Sequence, residues 1–248
     1  MGLSSNTLVH LTRQKDSLIG IIQEGFKLKY CAENVRTSKG TISGAFPMVS
    51  FSDIPLSELK NHITSYGNFG IGLKKDWAKR NKLNPVLYFD NSSKVSGLMN
   101  EDFGVLAKLA KKGEIPKNIF ESLIHISSYA KNYEGTLETE KVKIENYRFS
   151  DEREWRYVPI NEELDGCKSW ITPSDYDTQE KKDNVNSELN KIHLTFNPDD
   201  INYLFVEHEA EIQEFIEIIR KTFKKNAFDS VDRLISRIIT TSQIMTDI

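Results

Sequence analysis

The 248-residue sequence has few cysteines and no long apolar run. Its two cysteines, Cys31 and Cys167, are far apart and neither belongs to a C-x-x-C pair, so a zinc ribbon, a redox dithiol and a disulfide framework are not expected. No apolar stretch approaches the roughly 20 residues of a membrane-spanning helix, and no charged segment followed by an apolar one resembles a leader. These absences predict a cytoplasmic protein with no membrane segment.

The sequence also lacks an excess of charge of either sign. It has 33 lysines and arginines against 36 aspartates and glutamates, a net charge of −3. Proteins that bind nucleic acid through many phosphates are usually strongly basic, so a broad basic surface is not expected. One local basic run, formed by Lys74, Lys75, Lys79, Arg80 and Lys82, leaves two interpretations open: a nucleic-acid-binding patch or the solvated face of a helix.

Motifs that bind metals and phosphates are missing too. The five histidines have no H-E-x-x-H or other ligand spacing, which predicts no metal site. The glycine-rich segment 66–72, YGNFGIG, matches neither G-x-G-x-x-G nor the G-x-x-x-x-G-K-[ST] phosphate loop, so ATPase and GTPase chemistry is not expected. Its glycines indicate instead that a ligand or another strand approaches the backbone closely.

What the sequence contains is a mixed order of short strands and helices. Strands are predicted at 7–12, 26–31, 48–53, 69–73, 86–89, 154–158, 193–196 and 203–206, and helices at 17–24 and 56–63. Segments 39–44 and 174–189 are interpreted as loops, the latter because it is polar and charged. Since there is no steady βαβα alternation, this order favours α+β over a doubly wound sheet.

Two longer segments of the chain have helical periodicity. The first, at about 101–135, is interpreted as a helical insertion, and the second, at about 210–244, as C-terminal helices. The apolar stripes of the second segment fit core packing, or an exposed remnant that binds a partner helix. We interpret residues 1–248 as a single domain.

The densest cluster of charged residues is the segment 151–157, DEREWRY. On an extended strand Glu152, Glu154 and Arg156 would share one face, with the two carboxylates about 6–7 Å apart. One carboxylate of such a pair can stabilise an electron-poor sugar carbon while the other orients or activates the attacking group. The same spacing fits a solvated strand edge with alternating ion pairs, so it leaves both interpretations open.

His10 and Thr12 form an H-x-T pair on one face of the first predicted strand. An imidazole and a hydroxyl can bind a ribose diol or an amide through directional hydrogen bonds, although a strand histidine is more often structural. Tyr66, at the start of the glycine-rich segment, fits either stacking on a flat ring or packing over the core at a turn.

Several longer motifs occur in a fixed order along the chain. They are PMVSFSDIPLS at 47–57, His62, YG at 66–67, GIGL at 70–73, Trp77, NPVLY at 84–88, DEREWRYVP at 151–159 and SRIITT at 236–241. Together they resemble the AbiGi family of abortive-phage-infection proteins, over a stretch from about Leu8 to the end. That family is described as the antitoxin half of a two-gene system, so the resemblance implies phage defence and a cognate toxin or antitoxin as partner.

A wider resemblance concerns three of the predicted strands. The H-x-T strand with its short helix, the Ser-Phe-Ser strand at 50–52 and the late E-x-E strand look like the signature strands of ADP-ribosyltransferase-like domains, including the DarT type. This resemblance implies an α+β fold with a split β-sheet core and flanking helices. It also implies NAD as a substrate and an RNA, DNA or protein as the acceptor of ADP-ribose.

The residues that this resemblance implies fall into two groups. The NAD-binding group is His10, Thr12, Ser50, Ser52 and Tyr66. In the catalytic group Glu154 would stabilise the oxocarbenium-like transition state, and Glu152 would orient or deprotonate the acceptor. The sequence therefore predicts an NAD-dependent ADP-ribosyltransferase of phage defence, with a non-catalytic antitoxin that binds and neutralises a toxin as the alternative.

Overall fold

The computed structural model describes residues 5–138 and 143–247. Helices and strands are mixed along the chain, which confirms the α+β class. The strands are β1 (Thr7–Thr12), β2 (Phe26–Lys27), β3 (Lys29–Thr37), β4 (Gly40–Ser52), β5 (Phe69–Lys74), β6 (Asn84–Pro85), β7 (Leu87–Phe89), β8 (Ala130–Asn132), β9 (Gly135–Glu138), β10 (Lys143–Tyr147), β11 (Glu154–Tyr157), β12 (His193–Leu194), β13 (Ile201–Val206) and β14 (Ile238–Thr240).

The helices lie between these strands and after them. They are α1 (Lys15–Glu24), α2 (Leu59–Tyr66), α3 (Lys75–Arg80), α4 (Lys94–Lys112), α5 (Lys117–Ser127), α6 (Gln179–Leu189), α7 (Ile212–Thr222), α8 (Phe228–Ile235) and α9 (Thr241–Asp247). Within the described chain, none of them combines the length and the apolar composition that crossing a bilayer requires.

The described residues form two compact units. The first unit contains residues 5–27, 50–83 and 193–247, and the second contains 28–49, 84–138 and 143–192. The interpretation of the chain as one domain stays a prediction.

In the first unit a sheet is built around β5. This strand pairs antiparallel with β1, from Thr7 opposite Lys74 to Thr12 opposite Phe69, and antiparallel with β13 on its other side. A Cβ atom added to Gly70 would lie 2.5 Å from the carbonyl oxygen of His10. The close neighbour that these glycines indicate is therefore another strand, since a side chain at Gly70 would push β1 away.

Aromatic rings fill the core of the first unit beside this sheet. Phe26, Phe51 and Trp77 are at most 2% exposed, and their ring centroids are 5.1–6.3 Å apart. Trp77 also donates its indole N–H to the carbonyl of Thr195 at 3.0 Å, so its polar atom is satisfied inside the core. Phe215, Ile219 and Leu234 of the C-terminal helices are fully buried, which confirms core packing for these members of the apolar stripes.

In the second unit the long hairpin β3–β4 replaces the loop that the sequence predicted at 39–44. Its register runs from Lys29 opposite Met48 to Thr37 opposite Gly40. The prediction was wrong because Gly40 and Gly44 resemble loop residues, whereas Gly44 is needed inside the strand. The indole nitrogen of Trp170 would lie 1.8 Å from a Cβ atom at Gly44, so only glycine leaves room for that ring.

Two further segments differ from their predicted structure. The predicted loop 174–189 contains α6, whose first turn is capped by the hydroxyl of Thr178 and whose last residue, Leu189, is fully buried. One buried leucine and a cap stabilise this helix without an apolar stripe that sequence analysis could detect. The C-terminal segment 210–244 is interrupted by β14, because Ile238–Thr240 pairs in parallel with β13.

The aromatic core yields a stability prediction. Replacing Phe26 with alanine should lower the free energy of unfolding by about 3–5 kcal/mol, because a buried aromatic ring is lost and a cavity is left. Phe228→Ala is the matched control, since Phe228 is 74% exposed and its removal should change stability by no more than about 0.5 kcal/mol. Urea unfolding followed by tryptophan fluorescence measures both. Equal losses for the two variants would contradict the assignment of this core.

Candidate functional site

The two carboxylates of the E-x-E motif lie on different elements of the second unit. Glu152 is the last residue of a short 3-10 helix, Phe149–Glu152, and Glu154 is the first residue of β11. Arg153 between them has a positive φ of 46°, so the backbone turns before the strand begins. The prediction that both carboxylates lie on one continuous strand was wrong for this reason, although Glu154 and Arg156 do share the buried face of β11.

Lys131 nevertheless brings the two carboxylates together. Its Nζ atom, on β8, lies 2.6 Å from Oε2 of Glu154 and 3.2 Å from Oε2 of Glu152. Tyr147 donates its hydroxyl to the other oxygen of Glu152 at 3.1 Å. Glu152 and Glu154 are 4% and 6% exposed, so the interpretation of this motif as a solvated strand edge is wrong.

Arg156 completes this group of charges from a fully buried position on β11. Its Nε and Nη2 atoms donate to the two oxygens of Glu154, at 2.7 and 3.2 Å. Nη2 also donates to Glu33 of β3 at 2.6 Å, and Nη1 to the carbonyl of Ser128 at 2.5 Å. The five residues Glu33, Lys131, Glu152, Glu154 and Arg156 are called the carboxylate cluster below.

Neighbouring strands position the members of the carboxylate cluster. Asn132 follows Lys131 on β8, and its side-chain amide forms two 2.8 Å hydrogen bonds with the backbone N–H and C=O of Arg36 on β3. On β11, the backbone N–H of Glu154 donates to the hydroxyl of Tyr88 on β7 at 2.9 Å. Residues from β3, β8 and β11 are thus held around one buried guanidinium.

Electrostatics keep Glu154 ionised at neutral pH. Burial by itself would raise the pKa of Glu154, but the adjacent Arg156 and Lys131 outweigh it and lower the pKa to about 2. The pKa of Glu33 is raised, mainly by burial, with the charge of Glu154 adding to the effect against the attraction of Arg156. The contrast arises because Arg156 and Lys131 both donate hydrogen bonds to Glu154, whereas Glu33 accepts one from Arg156.

Two members of the carboxylate cluster were not predicted from the sequence. Lys131 lies in a segment that was interpreted as a helical insertion, and Glu33 lies on a strand that was predicted to end at residue 31. No short-range spacing links Lys131 to Glu154 or Glu33 to Arg156, since both contacts join residues that are far apart in the chain.

The predicted NAD-binding residues all lie in the first unit, and His10 contacts one of them. Its Nδ1 atom is 2.8 Å from the carbonyl oxygen of Ser50, which can only accept, so Nδ1 carries the proton. Burial lowers the pKa of His10, and the bond to Ser50 opposes this only in part, so the ring is neutral with a lone pair on Nε2.

The other predicted NAD-binding residues are placed around β1 and α2. Ser52 lies close to β1, where Val9 is its partner in the register, and Thr12 accepts a long 3.5 Å hydrogen bond from the N–H of Gln14. Tyr66 is the last residue of α2, where its ring contacts that of His62 at 5.8 Å between centroids. Stacking of Tyr66 on a ligand stays a prediction.

The first unit also has an open cavity of about 320 Å³. Thr7 and Val9 of β1 line it together with Ile54 and Tyr203. Because side chains alternate along a strand, these β1 residues face away from the side of the sheet that carries His10 and Thr12. None of the predicted site residues lines this cavity.

Acidic neighbours neutralise much of the basic run at 74–82. Lys75 forms an ion pair of 2.6 Å with Asp53, and Arg80 one of 2.5 Å with Asp200. These pairs favour the structural interpretation of the run over a phosphate-binding patch. Among residues 5–138 and 143–247, no three His, Cys, Asp or Glu side chains are grouped as metal ligands.

Comparison with known proteins identifies the family. A family model described as "Putative abortive phage resistance protein AbiGi, antitoxin" matches residues 24–207. The chain belongs to the AbiGi family. The "Abortive phage resistance protein AbiGi" of Lactococcus lactis subsp. cremoris is 27% identical to it over 229 residues, which cover 81% of this chain and 88% of that protein. No solved structure matches the chain.

The stretch that matches the AbiGi family includes the carboxylate cluster and some of the predicted NAD-binding residues. Residues 24–207 contain the whole carboxylate cluster as well as Ser50, Ser52 and Tyr66, whereas His10 and Thr12 precede the matched stretch. Membership in AbiGi confirms the first of the two resemblances in the sequence. The ADP-ribosyltransferase-like fold, its NAD site and its acceptor stay predictions.

The lowered pKa of Glu154 predicts how stability depends on pH. A carboxyl group with a pKa of 4.5 when unfolded and about 2 when folded contributes about 3 kcal/mol above pH 4.5. That contribution is lost as the pH falls through 4.5 towards 2. Glu154→Gln should therefore be less stable than wild type by about 3 kcal/mol at pH 7, and this difference should shrink between pH 5 and pH 2.

Urea unfolding at a series of pH values measures this difference. Glu114→Gln is the matched control, because its carboxylate is exposed and lies 3.6 Å from Lys112 at the surface. The control should follow the wild type at every pH. A Glu154→Gln deficit that stayed constant from pH 7 to pH 2 would show that the charge of Glu154 does not stabilise the fold.

Proposed function

We propose that this chain is the antitoxin of an abortive-infection pair and neutralises a cognate toxin by binding it. The observation that carries this proposal is that both oxygens of Glu154 already accept hydrogen bonds, from the cations Arg156 and Lys131. The family description, which includes the word antitoxin, supports the same function.

A structural role accounts for the carboxylate cluster without a substrate. A buried charge is stable only when an opposite charge and hydrogen bonds compensate it, and removal of one partner typically costs 3–5 kcal/mol. Here Arg156 donates to Glu154, Glu33 and a backbone carbonyl, and each of these bonds reaches a different segment of the second unit. The cluster thus stabilises the fold of this unit, and the surface remains available for a partner.

A second candidate function is the transfer of ADP-ribose from NAD to a macromolecule. The specific observation in its favour is the tautomer of His10, since a neutral imidazole with a lone pair on Nε2 can accept a hydrogen bond from a ribose hydroxyl. In this reaction the bond from the ribose carbon to nicotinamide would break as a bond to the acceptor forms, and an anionic Glu154 would stabilise the developing positive charge. That role requires an oxygen of Glu154 to leave Arg156 or Lys131.

Co-expression with the toxin encoded by the neighbouring gene tests the antitoxin function. The wild-type chain should restore growth of cells that produce the toxin, and His10→Ala should restore it equally, because toxin binding does not use the imidazole. Growth is measured together with the soluble amount of each variant, so that loss of protein is distinguished from loss of function. Failure of the wild-type chain to protect would contradict the proposal.

An assay with labelled NAD and cell extract separates the two candidate functions. The antitoxin function predicts no release of nicotinamide and no label on protein or nucleic acid with the purified chain. Label transfer that disappears in Glu154→Gln and His10→Ala, and persists in the surface variant Glu114→Gln, would establish ADP-ribosyl transfer instead.

A further inference from the structure

Exposed apolar side chains concentrate on the two helices α4 and α5 of the second unit. Of the eleven large apolar residues that are exposed in the described chain, five lie on these helices. They are Val95, Leu98, Val105, Ile119 and Ile126, with 44–61% of their surface exposed. Single exposed apolar residues are ordinary on soluble proteins, but a group of five on adjacent helices indicates a binding surface. These five residues are called the apolar stripe.

The spacing of the stripe residues on α4 places them on one face of the helix. With 3.6 residues per turn, Val95, Leu98 and Val105 fall within an arc of about 80°. A different face of α4 is already used inside the unit, where Phe103 contacts Phe120 and Trp170 with ring centroids 6.2 and 6.3 Å apart. Packing within the chain therefore explains one apolar face of α4 and leaves the other exposed.

Helix α5 carries two more of the exposed apolar side chains. Ile119 and Ile126 are seven residues apart, which is two turns, so they project from the same side of α5. The contact between Phe103 and Phe120 holds α5 against α4, and Gly113, with φ of 71°, ends α4 just before the turn to α5. Spacings of three and seven residues are those by which a helix recognises another amphipathic helix.

Lysines form the polar edge of the stripe on α4. By helical position, Lys94, Lys108 and Lys112 lie along the edge next to Val105. Glu101 on the same edge is paired with Lys39 and Lys112 with Glu114, and the exposed Asp102 falls within the arc between Val95 and Leu98. Lys94 and Lys108 make this edge basic, which complements a partner with acidic flanks. A second copy of this chain would bring lysines against lysines, which disfavours self-association through the stripe.

We propose that the apolar stripe is the surface on which the cognate toxin docks an amphipathic helix, with apolar residues at heptad spacing and acidic residues beside them. This inference rests on the proposed antitoxin function and names the surface that performs it. The apolar side chains supply the buried contact, and the lysines orient the helix and speed its association.

Binding of the purified, full-length chain to the purified product of the neighbouring toxin gene tests the docking surface. The double variant Leu98→Glu/Val105→Glu should raise the dissociation constant at least about 100-fold, because two charges would face the apolar side of the toxin helix. The second variant, Lys94→Glu/Lys108→Glu, alters only exposed lysines and should weaken binding about tenfold in low salt and less in high salt. Met245→Glu is the matched control, since Met245 is 43% exposed on α9 of the first unit and should bind as wild type does.

Each outcome of this test decides the inference. The inference is supported if Leu98→Glu/Val105→Glu and Lys94→Glu/Lys108→Glu both weaken toxin binding while both variants unfold at the wild-type temperature. If both variants bind like wild type, the docking surface lies elsewhere and the antitoxin function still stands. If the wild-type chain does not bind the toxin at all, the function and the docking surface both fail. A wild-type dimer in sedimentation that Leu98→Glu/Val105→Glu converts to a monomer would assign the stripe to self-association and overturn the proposal.

Discussion

The buried guanidinium of Arg156 is the constraint on which the second unit depends. A cation with no exposed surface is stable only if anions and carbonyls surround it, and here Glu154, Glu33 and the carbonyl of Ser128 do so. This requirement explains why Glu154 is buried as an anion. The contacts that compensate this one charge join β3, β11 and the segment that contains Ser128.

The same constraint bears on function. A carboxylate that stabilises an oxocarbenium-like transition state must reach the substrate, whereas Glu154 points its two oxygens at Arg156 and Lys131. The chain belongs to a family described as antitoxin, and an antitoxin that acts by binding uses its surface rather than a catalytic pocket. Of the eleven large apolar residues that are exposed in the described chain, five lie on α4 and α5.

Local features of the structure could be predicted from the sequence, and long-range ones could not. The strand Thr7–Thr12 was predicted with both of its ends from its pattern of apolar and polar residues, although Thr7, Leu8 and Val9 are all buried. The proximity of Glu152 and Glu154 was also predicted, although the two residues lie on a 3-10 helix and a strand and meet at Lys131 rather than on one continuous strand. Lys131 and Glu33 could not be predicted as their partners, because only the folded chain brings these distant residues together. Helix α6 escaped detection since its stability comes from a cap and one buried leucine.

The central claim is that the chain acts by binding a toxin rather than by chemistry on NAD. Calorimetric titration of the purified chain with the purified toxin, in the presence and absence of NAD, tests it most directly. The account predicts a dissociation constant below about 1 μM, or more than about 8 kcal/mol of binding free energy, that NAD leaves unchanged. Absence of binding, or binding that appears only with NAD, would contradict it.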